Sequence, residues 1–136
     1  MATVNELMTH DPRTVGAATS VAEAARLMRD DDVGSLPVVE GDRLVGTVTD
    51  RDIVVRVVAD GRGGDTTVGE IASREVVTID PQQDADEAMR LMAEHQVRRL
   101  PVCEEDGRLV GIVAQADVAR HGADARTGET VERISR

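Results

Sequence analysis

The chain is predicted to be an α/β protein of the α+β kind, built from two pseudo-symmetric βαββα units packed as a tandem pair. Two observations carry that prediction. Val33-Gly-Ser-Leu-Pro-Val38 returns as Val97-Arg-Arg-Leu-Pro-Val102, 64 residues on, and Leu44-Val-Gly-Thr-Val48 returns as Leu109-Val-Gly-Ile-Val113, 65 residues on, with one residue inserted in a loop between them. At 136 residues and 40% hydrophobic content, the chain is long enough for one core-bearing domain holding both copies. Two units are too few for a solenoid, so each half is expected to supply the core wall that the other lacks.

The elements follow the same order in both halves. Thr14-Val15 and Val77-Thr-Ile79 read as short strands. Helices open at Ser20 and Asp84, each with a glutamate three residues later, which are capping-box signatures. Val21, Ala24, Ala25 and Met28 form one helical stripe, and Ala85, Ala88, Met89 and Met92 form its twin; methionines at this spacing are packing residues. A hairpin follows in each copy, with an acidic, glycine-bearing turn at Glu40-Gly41-Asp42 or Glu105-Asp106-Gly107. The apolar run Ile53–Val58 fits strand or helix, and its polar approach through Thr49 and Asp52 favours a helix. The Gly- and Asp-rich stretch 59–66 reads as an exposed connection. The expected layout is repeat one at 1–60, a linker at 61–67, repeat two at 68–121 and a polar tail at 122–136.

Composition excludes several function classes. Sixteen basic residues, all arginine, face 26 acidic ones for a net charge of −10, which opposes extended contact with nucleic acid or an anionic membrane. The chain has no Phe, Tyr or Trp, so it lacks the stacking platforms of single-strand binders. There is no apolar run of membrane-spanning length and no secretory leader pattern at the start, so the expected compartment is the cytoplasm. Cys103, the single cysteine, lies in an apolar run and reads as a small buried hydrophobe.

The chemistry concentrates at Gly46-Thr-Val-Thr49-Asp-Arg-Asp52. Thr49 places a hydroxyl at a helix start, where free N–H groups and the positive dipole end favour a phosphate, and Asp52 one turn on suits a ribose diol. The same T-x-x-D tetrad is also an ordinary helix cap. The second copy reads Gly111-Ile-Val-Ala114-Gln-Ala-Asp117, which keeps the aspartate and loses the hydroxyl, so its half-site is expected to hold phosphate less well. Arg98 and Arg99 stand where the first copy has Gly34 and Ser35; they suit bidentate phosphate binding, or ordinary surface ion pairs with residues such as Glu94.

Glu-Leu-Met-Thr-x-x-Pro-x-Thr-Val15, the paired Leu-Pro-Val elements and Gly-x-Val-Thr-x-x-Asp52 together resemble the CBS domains, which occur in tandem as Bateman modules. The resemblance covers roughly residues 4–58 and 68–120, and the compact length is similar to the stand-alone pairs of the hypoxic response group. It implies a regulatory or stress-response sensor, no enzyme, that binds an adenosine-containing ligand such as AMP, ATP or S-adenosylmethionine in clefts between the repeats. It also implies a homodimer acting on a regulated partner. Carried over by motif, Thr49 would contact phosphate, Asp52 and Asp117 ribose, and Arg98 or Arg99 phosphate from across the cleft. The adenine would lie among Thr14, Val15, Leu36 and Pro37, with Thr78, Ile79, Leu100 and Pro101 as the twin. An aliphatic slot without aromatic stacking implies micromolar rather than nanomolar affinity, a difference of ~4 kcal/mol.

No triad, phosphate-binding glycine loop or metal-ligand spacing supports catalysis. His95 and His121 lie at segment ends within one repeat and are the alternative metal ligands, which would make a metal-binding stress protein. A ligand-free dimeric scaffold with degenerate clefts is the other reading.

Overall fold

The computed structural model describes residues 2–121. In chain order the elements are α1 (Val4–Leu7), β1 (Thr9–His10), α2 (Val21–Asp31), β2 (Ser35–Glu40), β3 (Arg43–Thr49), α3 (Asp50–Ile53, continued by π-helical Val54–Val58), α4 (Val68–Ile71), α5 (Ala85–His95), β4 (Arg99–Cys103), β5 (Leu109–Ala114) and α6 (115–121). The mixed α+β architecture is the expected one; the polar tail lies outside the described residues.

Two compact units form, and their bounds cross those of the sequence repeats. The repeat-one unit is Arg13–Val76 with Asp106–Leu109; the repeat-two unit is Met1–Pro12, Val77–Glu105 and, as far as described, Val110–Arg136. The leading helix of each sequence repeat therefore packs in the other repeat's unit. Val4 and Met8 are buried in the core of Ile79, Ala88, Met92, Leu100, Val102 and Val113. Val68 and Ile71 are buried with Val15, Val21, Ala24, Met28, Leu36, Val38 and Val48.

Each exchanged segment also closes a sheet edge. Thr9 and His10 pair antiparallel with Ile112 and Gly111 in the order β1-β5-β4, while Ser73 bridges Thr47 beside the β2-β3 hairpin. The close approach explains two glycines. A Cβ on Gly46 would lie 2.6 Å from the Ser73 carbonyl oxygen, and one on Gly111 would lie 2.5 Å from Met8 Sδ and 2.8 Å from the Thr9 carbonyl oxygen.

The short strands expected at Thr14-Val15 and Val77–Ile79 shrink to single parallel bridges, Val15 to Val38 and Ile79 to Val102. The Leu-Pro-Val element supplies the reason. Val15 N–H donates to the Pro37 carbonyl and Val39 N–H to the Val15 carbonyl. The next rung back needs an N–H from Pro37, which has none; Pro101 ends the twin ladder in the same way.

Ser20 and Asp84 do cap α2 and α5, accepting from Glu23 N–H at 3.1 Å and Glu87 N–H at 2.9 Å. The reciprocal halves of those boxes are not formed. Glu23 is held instead by Arg26, and Glu87 by Arg90. The connection 59–66 is exposed through residue 65, but Thr66 is buried. The carbonyls of Thr66 and Gly64 accept from Val21 and Ala22 N–H, lacing the connection to the start of α2. Past Ile53 the helix widens, with Ala59 N–H reaching Val54 O at 2.9 Å. This turns Val57 inward and leaves Val54, Val55 and Val58 at 58%, 45% and 67% exposure.

Candidate functional site

The helix start after β3 is the best-furnished constellation in the repeat-one unit. Thr49 ends β3 opposite Ser35 and, in extended conformation (φ −117, ψ 162), caps α3. Its hydroxyl accepts from Asp52 N–H at 3.0 Å, and Asp52 Oδ2 accepts from Thr49 N–H at 2.9 Å, so the pair forms a complete capping box. Two groups stay open. The Thr49 hydroxyl retains its proton as a donor, and Asp52 Oδ1 has only a long 3.9 Å approach from Arg56 Nε. The Asp52 side chain is 17% exposed.

The twin in the repeat-two unit is built on the same backbone frame. Asp50 N–H donates to Gly34 O at 2.9 Å, and Gln115 N–H donates to Arg98 O at 2.8 Å. Asp117 Oδ2 still accepts from Ala114 N–H at 3.1 Å, so half of the box survives without a hydroxyl. Its other oxygen is engaged by Arg120. Arg98 and Arg99 are both exposed and make no ion pair among the described residues. Glu94, the acid available to them in sequence, pairs with Arg90.

The adenine residues expected from the resemblance are mostly in the cores. Val15 and Leu36 are 5% and 2% exposed, Ile79 and Leu100 4% and 0%, and Pro37 and Pro101 are buried. The structure joins them in pairs, with Val15 N–H donating to Pro37 O and Ile79 N–H to Pro101 O. Thr14 is half-buried and Thr78 exposed, which leaves these two as the accessible members. A cavity of about 410 Å³ at the paired hairpin turns is lined by Glu40, Arg43, Leu44, Val45, Asp106 and Gly107, none of them a candidate ligand residue.

Reasoning from sequence missed Asp50. A Cβ on Gly34 would lie 3.1 Å from Asp50 Oδ2, so this carboxylate sits against the start of the Leu-Pro-Val segment. The repeat alignment contained the signal, since Gln115 occupies the matching place. Burial pushes the Cys103 thiol up to about 11, the state of a packing residue. His95 is exposed and His121 half-buried, and no three or more His, Cys, Asp or Glu among the described residues gather into a metal site. No helix among them is long and apolar enough to cross a membrane.

Two like units, each with a bridged residue, a capped helix, a hairpin and a second helix opening on an aspartate-held turn, define a tandem pair of CBS domains. The chain belongs to that family, whose profile matches residues 4–59 and 68–124. It is 45% identical over 119 residues to the CBS domain-containing protein YhcV of Bacillus subtilis, covering 88% of this chain and 84% of that one. It is 43% identical over 123 residues to hypoxic response protein 1 of Mycobacterium tuberculosis, covering 89% and 85%. Among solved structures, that of Hypoxic Response Protein I with two coordinated zinc ions matches at 43% identity and TM-score 0.80, covering 88% and 98%. CBSX2 in complex with AMP matches at 29% identity and TM-score 0.81, covering 93% and 99%. The CBS domain pair of MJ0100 in complex with 5-methylthioadenosine and S-adenosyl-L-methionine matches at 28% and 0.76, covering 88% and 98%. The zinc of the first finds no counterpart cluster among the described residues here.

Proposed function

We propose that this chain is a regulatory module of the cytoplasm, acting as a homodimer, that binds an adenosine-containing nucleotide and biases a partner protein through the bound state. The likeness to CBSX2, seen with AMP and matching over 93% of this chain, carries the reading. Local chemistry supports it. Thr49 keeps a free hydroxyl proton, Asp52 keeps a carboxylate oxygen, and Arg98 and Arg99 are unpaired cations among the described residues in a chain of net charge −10. Thr14 and Thr78 border the buried pairs and would meet the base. A module of this kind binds and reorients and carries out no chemical step, so its ligand acts by population shift: it stabilises whichever arrangement it binds more tightly.

The test is ligand-dependent thermal stabilisation. Millimolar AMP, ATP or S-adenosylmethionine raises the Tm of the wild-type chain, and Asp52→Ala abolishes that rise while lowering the ligand-free Tm only by the equivalent of ~1 kcal/mol for a lost cap. An unchanged Tm with all three compounds would contradict the reading. In that case a ligand-free dimeric scaffold takes its place, a reading favoured by the exposed Val54, Val55 and Val58 and by the burial of Leu36 and Leu100.

A further inference from the structure

The chain contains two Asp-Gly pairs, Asp60-Gly61 and Asp106-Gly107. An aspartyl carboxyl is open to attack by the backbone nitrogen of the next residue, and glycine, having no side chain, leaves that nitrogen uncrowded. In both pairs the glycine lies at positive φ, +70 and +89, with nothing within 4 Å of the place a Cβ would take, so crowding does not separate them. Their hydrogen bonds do.

At Asp60 the backbone that follows is already engaged. Gly61 N–H donates to Val58 O at 3.1 Å and Arg62 N–H to Val57 O at 2.8 Å, closing the end of the helix and leaving its own turn nothing to offer the Asp60 carboxyl. Asp106 is held in the opposite way. Arg108 N–H donates to Asp106 Oδ1 at 3.1 Å, an Asx turn that folds the carboxyl back over the Asp106–Gly107 peptide. No carbonyl holds the Gly107 N–H at hydrogen-bond geometry among the described residues. Carboxyl and nitrogen are thus placed for attack in one turn and kept apart in the other. Asp106 is exposed, and with Gly107 it lines the cavity of about 410 Å³ at the hairpin turns, which has ample room for water.

We propose that Asp106-Gly107 is a modification site of the folded chain, where aspartate isomerises to isoaspartate without an enzyme, and that Asp60-Gly61 is protected from the same reaction. The Gly107 nitrogen bonds to Asp106 Cγ, and the carboxyl hydroxyl leaves as water with the amide proton, giving a cyclic imide. Water then adds at Cγ, restoring aspartate, or at the Asp106 main-chain carbonyl carbon, breaking its bond to nitrogen and leaving the chain to run through the side chain. The water lost is regained, so mass and oxidation state are unchanged. The product carries one extra methylene in the backbone, at a turn bonded to the first hairpin by Leu44 N–H to Gly107 O at 3.1 Å and Leu109 N–H to Asp42 O at 2.9 Å. The longer backbone displaces the Gly107 carbonyl and opens that pairing. None of this depends on the adenosine reading.

Ageing the full chain at physiological temperature and mildly acidic pH tests it. Trypsin, cutting after arginine, then releases residues 57–62 and 100–108 as separate peptides with one Asp-Gly pair each. Isoaspartate shows as a form of equal mass and shifted retention that an Asp-specific endoprotease does not cut. In the folded chain this form is expected to accumulate about 2- to 10-fold faster in 100–108 than in 57–62, the range set by a hydrogen bond that must first be released. In chain aged unfolded in urea the two rates should converge. Asp106→Glu, whose longer side chain closes the larger ring far less readily, should yield no such form of 100–108. Amide exchange at Leu44 and Leu109 should quicken in the isomerised fraction. The proposal is overturned by absence of the isomer from 100–108, by equal or faster accumulation in 57–62 of the folded chain, or by a disparity that persists in urea. Unchanged exchange at Leu44 in isomerised chain would overturn the opening of the turn.

Discussion

The start of α3 and the start of α6 are the same turn written in two alphabets. In the first, Thr49 and Asp52 exchange two hydrogen bonds and an acidic neighbour stands by; in the second, Ala114 and Asp117 exchange one, and the neighbours are basic. The frame survives because it rests on backbone groups, Asp50 to Gly34 and Gln115 to Arg98, which any side chain leaves available. The repeat therefore fixes where the backbone groups of this turn stand. The side chains decide which group is welcome.

The sharpest way to break the equivalence of the units is at the glycines where an exchanged segment closes each sheet. Gly46→Ala and Gly111→Ala each force a Cβ against a backbone oxygen, at 2.6 Å and 2.8 Å, and each should lower unfolding free energy by ~1–3 kcal/mol in urea titration. A loss at one site only would mean that the two edges are not closed alike. Next in size is the cap. Thr49→Ala should cost about 1 kcal/mol, and Ala114→Thr should return ~0.5–1 kcal/mol by completing the second box. If Ala114→Thr brings no gain, the repeat-two turn is not the capping frame described.

A smaller effect separates the leading helix of repeat two by pH. The Thr67 N–H, then its hydroxyl, then Arg62 hold the Glu70 carboxyl below its ordinary value of 4.5. A lowered folded pKa means the stabilisation is in place above 4.5 and disappears as pH falls through the lowered value. Glu70→Gln should flatten that acid limb of the Tm profile and leave the neutral region nearly unchanged; an acid limb identical to wild type would contradict the assignment. Smallest of all, Cys103→Val installs the residue repeat one carries at position 39, and should change stability by less than about 1 kcal/mol. The native thiol, raised to about 11, should resist an aromatic disulfide reagent at neutral pH until the chain unfolds. Rapid labelling of folded protein would show that β4 is open at its end.

Much of the fold was legible because it is local. The caps at Ser20 and Asp84, the apolar stripes of α2 and α5 and the hairpin turns are all written within a few residues. The exchange of leading helices was not, since no short-range pattern tells Val4 that its neighbours are Ile79 and Leu100. The shortening of the first strands has its cause, the missing N–H of Pro37 and Pro101, in the repeat itself, but it takes effect only through pairing with a strand more than twenty residues away. At the candidate site, the motif points to Thr49 and Asp52, and the structure shows the pair as a complete capping box. Leu36 and Leu100, expected at the base, are 2% and 0% exposed, and in sequence an apolar side chain reads the same whether it lines a slot or fills one.

Equilibrium dialysis against AMP shows whether the chain holds an adenosine nucleotide, as proposed. With no Phe, Tyr or Trp the protein contributes almost nothing to the absorbance band of adenine, so bound nucleotide is read without a label. At about 1 mM AMP, the weak end of the affinity scale, excess adenine absorbance is expected on the protein side. Equal absorbance on both sides of the membrane would contradict it.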